Sequence, residues 1–459
     1  MFLDTDLINQ KRDIELFNNV GNFDNVEGRL TVWLAISQTP RVHWEFEVAR
    51  GEYNLDSLTL SPQKLTSWSG SNPQLVIDKP TVTFCGGARK QIRGYAEQAL
   101  YGDINIGAHY FDFYLPNTDF MREATGGNLA ATMQALDSKS FIVEINNDWS
   151  VELSTTQTAI DWLSPELQNR GSMITLKVRL FQTKQPSAKV QDLLKISLAD
   201  ANKIISDLCL MLSYINGGYV KSVYGIAKKF IKNDNDRISI EYVAALAETP
   251  LILPQEELGQ SCIRHFGIND LLSFIRCFPA FQAMLNTVYW REKWVVLLEW
   301  YFQAIPRLTG RRRNVLLPVV ANALGALLEN LARIILFDEE KILTEECSKY
   351  LKVIKTQNPK RNLTLKERIN LLLHCMCTSD QELVNNFVDI RNNSTHATSK
   401  KLSLTPIQQW EVVWKTVQWV DEIILWRIGY AGEFYRDRGL KTVGGIKPHY
   451  NLSSRNPIW

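Results

Sequence analysis

The stretch "MITLKVRLFQTKQPSAKVQDLLKISLADANKIISDLCLMLSYING" (Met173–Gly217) changes its hydrophobic period midway. Its opening, "MITLKVRLFQT", is a short run rich in β-branched and apolar residues, as strands are. "TKQPSAK" (Thr183–Lys189) breaks that pattern. Beyond the break, apolar residues recur at spacings of three and four until Gly217, where a helix is expected to stop. One short segment thus separates strand-like chain from helix-like chain, and the same test applies outward in both directions.

Upstream, "RLTVWLAIS", "RVHWEFEVA", "PTVTFCGG", "HYFDFYLP", "SFIVEIN" and "WSVELST" read as further strands, with turn formers such as "SGSNP" and "INNDW" between them. Strands at this irregular spacing predict a sandwich or partly open barrel with insertions. Downstream, a mixed piece ("YVKSVYGIAKKF", "RISIEYVAALA") precedes chain that is helical in pattern almost throughout after Pro254. Thr364 with Glu367 and Ser379 with Glu382 have the spacing of capping boxes. Thr405 as N-cap, Pro406 after it, Gln408 at the third position and Gly429 as stop bound a last helix. Trp410, Val413, Trp414, Val417, Val420 and Ile424 give that helix an apolar stripe. The fold class expected is α+β: a β-rich, sandwich-like domain over 1–185, a helical connecting region over 186–289, an all-α domain over 290–430, and a loosely structured tail over 431–459.

At 459 residues the chain suits two or three domains. With 45% hydrophobic and 22% charged residues it can bury a sizeable core without disulfides. The formal net charge of +2 excludes a globally basic nucleic-acid binder, so any such site must be a local patch. Seven scattered cysteines point to reduced thiols and a cytoplasmic location. The start "MFLDTDLINQKRDIEL" has acids where a signal peptide needs basic residues, and no run of membrane-spanning length is expected.

The chain has six histidines, and one of them, His396, follows Arg391 in "FVDIRNNSTHATSKK" (Phe387–Lys401). An arginine followed four to six residues later by a histidine is a weak signal alone, and Arg368 with His374 meets the same spacing. That second pair lies within an amphipathic helix on different faces, which reads as packing. Arg391 to His396 instead contains no hydrophobe and lies between two capped helices. A turn after Arg391, eased by Asn392 and Asn393, would bring His396 back beside it. Read from the residues alone, two possibilities stand: such a site, or an exposed inter-helix loop with a cation near a helix C-terminus.

"RNNSTH" resembles the motif of the HEPN superfamily, whose ribonuclease members carry R-x(4–6)-H with a polar residue such as Asn after the arginine. The region from about Trp290 to Arg427 is similar to the ApeA-like branch of that superfamily, found in bacterial antiphage systems. There a β-rich domain precedes the helical nuclease. The resemblance rests on "EWYFQAIPRLTGRRRNVLLPVVANALGALLENLARI" followed by "VDIRNNSTHA". In the N-terminal half only architecture and "VEGRL" carry it.

The resemblance implies metal-independent RNA cleavage by the ribose 2′-hydroxyl, with no cofactor, in an abortive-infection type of antiphage defence. His396 would be the general acid/base, Arg391 the phosphate clamp and Asn392 its orienting partner, chemistry that suits an imidazole and a guanidinium. It also implies a homodimer, because one histidine does not readily serve both ends of the reaction. Glu329, the acid in "ALLENLARI", could then contact Arg391 or His396; the alternative is an exposed helix acid. Arg307, Arg311, Arg312 and Arg313 in "RLTGRRRN" could line an RNA path or form a solvated loop. Lys352, Lys355, Lys360 and Arg361 form a sparser basic candidate. A phage-derived protein is the expected trigger, sensed by the β domain. The competing expectation is a non-catalytic RNA- or nucleotide-binding or dimerisation module with a ligand-sensing β domain.

Overall fold

The computed structural model describes residues 13–23, 26–36, 40–49, 75–86, 91–116, 141–155, 174–183, 195–232, 238–250, 268–305, 316–338, 345–357, 362–375, 380–396, 402–430, 433–435 and 449–451. They fall into two compact units. The first comprises Met1–Met121, Asn128–Leu210 and Tyr219–Gln255; the second comprises Arg122–Gly127, Met211–Gly218 and Glu256–Trp459.

The first unit contains β1 (Asp13–Phe23), β2 (Val26–Ala35), β3 (Arg41–Val48), β4 (Leu75–Asp78), β5 (Thr81–Gly86), β6 (Gln91–Ala96) and β7 (Gln98–Gly102). Then come β8 (Tyr110–Pro116), β9 (Phe141–Glu144), β10 (Trp149–Thr155), β11 (Ile174–Gln182), β12 (Tyr224–Lys232) and β13 (Ile238–Glu248). Two antiparallel sheets result, ordered β1-β2-β3-β6-β5 and β4-β7-β13-β12-β8-β11-β10-β9. Inward residues alternate along β2 and β3 (Leu30, Val32, Leu34; Val42, Trp44, Phe46), as a sheet with one buried face requires. They join Leu75, Ile77, Tyr114, Tyr224, Ile226 and Ala245 of the second sheet in one core cluster. All seven strands expected from composition are present. β1, β4, β6 and β7 were not expected; "DIELFNNVGNF" and "QIRGYA" carry Asn, Gly and charges that mask a strand in sequence.

The β-rich unit does not end near residue 185. β12 and β13 pair with each other, and they lie between β7 and β8 in the larger sheet. The expected helical connecting region over 186–289 is therefore corrected: its strands complete the sandwich, and the unit runs to Gln255.

Helix α1 (Leu198–Asn216) follows the break read in the opening stretch and ends at Gly217, whose φ is +67°. Ser197 caps it, accepting the Asp200 amide at 3.0 Å. The second unit takes the end of α1 and adds α2 (Ile268–Ile275), α3 (Phe278–Leu285), α4 (Val288–Ala304), α5 (Leu317–Arg333), α6 (Glu345–Gln357), α7 (Leu365–Cys375), α8 (Gln381–His396) and α9 (Pro406–Arg427). Thr405 and Gln408 form the expected capping box on α9, and Gly429 at φ +74° stops it. Thr364 and Glu367 do the same for α7. The tail includes two short paired strands, β14 (Glu433–Tyr435) and β15 (His449–Asn451).

α5 is the centre of the helical unit and packs against α4, α7, α8 and α9. Together with the π turn that follows, Leu317–Leu336 has the length and apolarity of a membrane span, contrary to the expectation that no such run exists. In this fold 67% of that stretch is buried inside the protein, the setting of a core helix.

Candidate active site

α8 carries the Arg/His motif, and its seating explains where the arginine goes. Asp380 caps the helix, its Oδ1 accepting the Leu383 amide at 2.9 Å. The cap thus falls one residue after the expected Ser379, which lies outside the described residues. Val384, Phe387 and Ile390 are buried. Arg391 comes one turn after Phe387 on the same face, so its guanidinium is drawn half-buried into the packed side of the helix.

The expected turn after Arg391 is absent. α8 continues through His396. The residues that suggested a loop are accommodated by hydroxyls that bond back to the preceding turn: Ser394 Oγ donates to the Ile390 carbonyl at 2.8 Å, and Thr395 Oγ1 lies 2.8 Å from the Arg391 carbonyl. Five residues along a helix turn the chain about 140° past one full revolution. Positions 391 and 396 therefore do not share a face, and the argument that separated Arg368 from His374 applies to this pair too. The His396 and His374 side chains lie outside the described residues, as do Arg307, Arg311, Arg312, Arg313, Lys360 and Arg361. Lys352 and Lys355 are exposed on α6.

Opposite the motif, Asn322, Gly325 and Glu329 stand at spacings of three and four on α5 and so share one face. Each meets a different group. Asn322 Oδ1 lies 2.7 Å from Thr395 Oγ1, so the single hydroxyl proton of Thr395 is offered either to Asn322 or to the Arg391 carbonyl. Gly325 leaves room for Arg391: a Cβ there would lie 3.3 Å from Arg391 Cγ and 3.4 Å from its Nε. Glu329 forms an ion pair with Arg368 of α7.

The expectation that placed Glu329 beside Arg391 or His396 is corrected for Arg391. α7 enters beside α5 with Leu365 near Gly325. One turn further along each helix, Arg368 meets Glu329. The arginine of the second spacing match is thus the partner of the acid assigned to the first.

Arg391 keeps donors to spare. Its Nη1 donates to Asn392 Oδ1 at 3.2 Å. Its Nε is buried and finds no hydrogen-bond partner among the described residues. A guanidinium offers five N–H donors and stays charged. This one is held half-buried at the seam where α8 packs on α5, beside Leu365 of α7.

Sequence reasoning missed Asn322, Gly325, Thr395 and the role of Arg368. Gly325 carried a readable signal, because a glycine inside a helix costs about 1 kcal/mol relative to alanine and asks for a packing reason. No family model matches the chain, and no curated protein or solved structure matches it either.

Proposed function

We propose that the helical unit is a HEPN-type, metal-independent endoribonuclease, an effector of antiphage defence governed by the β-rich unit. The observation that carries this reading is Arg391, a half-buried permanent cation seated over Gly325 with its Nη1 bonded to Asn392. Such a group binds a phosphodiester through its fork and stabilises the charge that builds on the non-bridging oxygens. The step is transesterification. A base takes the 2′-hydroxyl proton, the O2′–P bond forms, the P–O5′ bond breaks, and an acid protonates the leaving 5′ oxygen. The products are a 2′,3′-cyclic phosphate and a 5′-hydroxyl end.

His396 is the proton-transfer residue in this scheme, since an imidazole titrates near neutral pH. Positions 391 and 396 diverge around α8, so one copy does not aim both side chains at one phosphate from a single face. A homodimer answers this, with the histidine of one copy meeting the arginine of the other and two histidines dividing the base and acid roles. The same divergence favours the second reading, a non-catalytic module that holds RNA or a nucleotide through Arg391.

One set of measurements decides between them. His396→Ala lowers cleavage about a hundredfold or more with RNA affinity nearly unchanged, and Arg391→Lys does not restore an Arg391→Ala loss. His374→Ala stays within a few-fold of the parent. Cleavage persists in EDTA, and sedimentation finds a dimer. Full activity in His396→Ala selects the binding module, and activity restored only by magnesium or manganese removes the metal-free scheme.

A further inference from the structure

Three features outside the motif invite a role. The first is a half-exposed tryptophan pair on α9: Trp410 and Trp414 stack at 5.2 Å, with Ile407 exposed one turn earlier. The second is the buried His109, whose Nε2 has no partner among the described residues. The third is the Glu329–Arg368 pair beside the Arg391 seam. For the first, nothing shows what would cover it. For the second, Lys195 and Lys229 lie near and Nδ1 already accepts the Phe230 amide, and nothing points to a ligand. The third can be argued through.

We propose that Arg368 is a second phosphate-binding residue of this site, held in reserve by Glu329, so that the site engages two successive phosphodiesters of a single strand. The inference rests on the RNA reading of Arg391. Gly325, which admits Arg391, and Glu329, which holds Arg368, are four residues apart on one face of α5, about 6 Å along its axis. Leu365 reaches the same point of α5 as Arg391, and Arg368 follows it by one turn on α7. Two guanidiniums therefore line one seam, one turn apart, a spacing on the scale of neighbouring phosphates in a strand.

Exposure supports a working rather than a buried structural pair. The side chains of Arg368 and Glu329 are 22% and 43% exposed. The pair is part-buried with its carboxylate side open to water, so solvent screening keeps its net contribution to stability small. A phosphate can therefore displace the carboxylate at small cost, and a guanidinium binds it in the two-pronged manner that a carboxylate also accepts. Glu329 has a second consequence. With no anion bound, it offsets one of the two cations and reduces their mutual repulsion in the seam.

The test uses the full-length protein and a labelled, fully 2′-O-methylated oligonucleotide, which lacks the attacking hydroxyl. Binding is measured across a salt series for the parent, Arg391→Ala, Arg368→Gln and Glu329→Gln, with thermal melting of each. Removing one phosphate contact to a single strand lowers the log–log salt slope by about 0.7. Both arginine variants are expected to show that loss, and Glu329→Gln to tighten binding several-fold by releasing Arg368. If Arg391→Ala loses slope while Arg368→Gln and Glu329→Gln match the parent, Arg368 is only an inter-helix tie and the inference falls, leaving the reading of Arg391 intact. If the parent does not bind, or Arg391→Ala also leaves the slope unchanged, both fall. A melting temperature that drops in Arg368→Gln with binding unaltered likewise overturns the inference.

Discussion

Gly325 sits in the middle of α5, the long apolar helix at the centre of the helical unit, where alanine would be the better helix former by about 1 kcal/mol. Its use is the space it leaves for Arg391, since a methyl group there would press on Cγ and Nε at 3.3 and 3.4 Å. Gly325→Ala is therefore expected to separate stability from activity. The melting temperature holds or rises slightly, because the gained helix propensity offsets mild crowding against a flexible side chain. On the proposed function, cleavage is expected to fall several-fold, because the guanidinium is pushed out of its seat by a few tenths of an ångström. Parallel losses in melting temperature and turnover would show that the glycine serves packing alone.

Helices in this unit are tied together by polar groups as well as by apolar stripes, and α9 shows it most plainly. Val413, Val417, Val420 and Ile424 of its predicted stripe are buried, while Trp410 and Trp414 remain half-buried near its start. Within the buried part lies Asp421, fully enclosed. Its Oδ1 accepts the hydroxyls of Tyr214 at the end of α1 and Tyr301 of α4, each at 2.8 Å. One carboxylate thus joins three helices. Asp421→Ala leaves two buried phenols without this acceptor, and an expected cost of about 2–4 kcal/mol follows from their desolvation. Tyr301→Phe, which removes one bond and leaves the other, costs about 1 kcal/mol. Chemical denaturation of the two variants checks the order; equal costs would mean that the carboxylate is held by other groups.

For the molecule as a whole, charge in the β-rich unit sets its response to pH. Asp112 on β8 is wholly buried, and Arg179 donates to it at 2.8 Å and Lys228 at 2.6 Å, with Lys177 at 3.8 Å. Burial alone would raise its pKa. The Arg179 hydrogen bond and the charges of Lys177 and Lys228 outweigh that, and the net shift is downward. A carboxyl depressed on folding contributes stability that is present above its unfolded pKa and is lost as pH falls through the folded value. His109 and His43 act in the same direction at milder acidity, since burial, aided by nearby cations, lowers both. Below about 6.5 the unfolded chain takes up protons that these histidines resist in the fold. The β-rich unit is thus expected to lose stability in two steps, first below about pH 6.5 and again below about pH 4. Asp112→Asn removes the second step. An acid titration followed by amide hydrogen exchange in β8, β11 and β12 reads it, and an unchanged second step in that variant would place its origin elsewhere.

What the residues alone determined is what neighbours in sequence decide. The α+β class, the strands around "RLTVWLAIS" and "HYFDFYLP", the capping boxes at Thr364 and Thr405, and the stops at Gly217 and Gly429 all depend on patterns a few residues long. Local sterics and backbone hydrogen bonding act over that range. The tertiary structure decided the rest, because the deciding partner is distant in the chain. β12 reads as mixed sequence until β8 and β13 pair with it on either side. "RNNSTH" reads as a loop until Ser394 and Thr395 turn their hydroxyls onto carbonyls of the preceding turn. Glu329 finds Arg368 across 39 residues, and Asn322 finds Thr395 across 73. Periodicity states which face of a helix is buried, but not which helix lies against it. That choice is made by side-chain packing around α5, where the space left by one glycine admits the motif arginine.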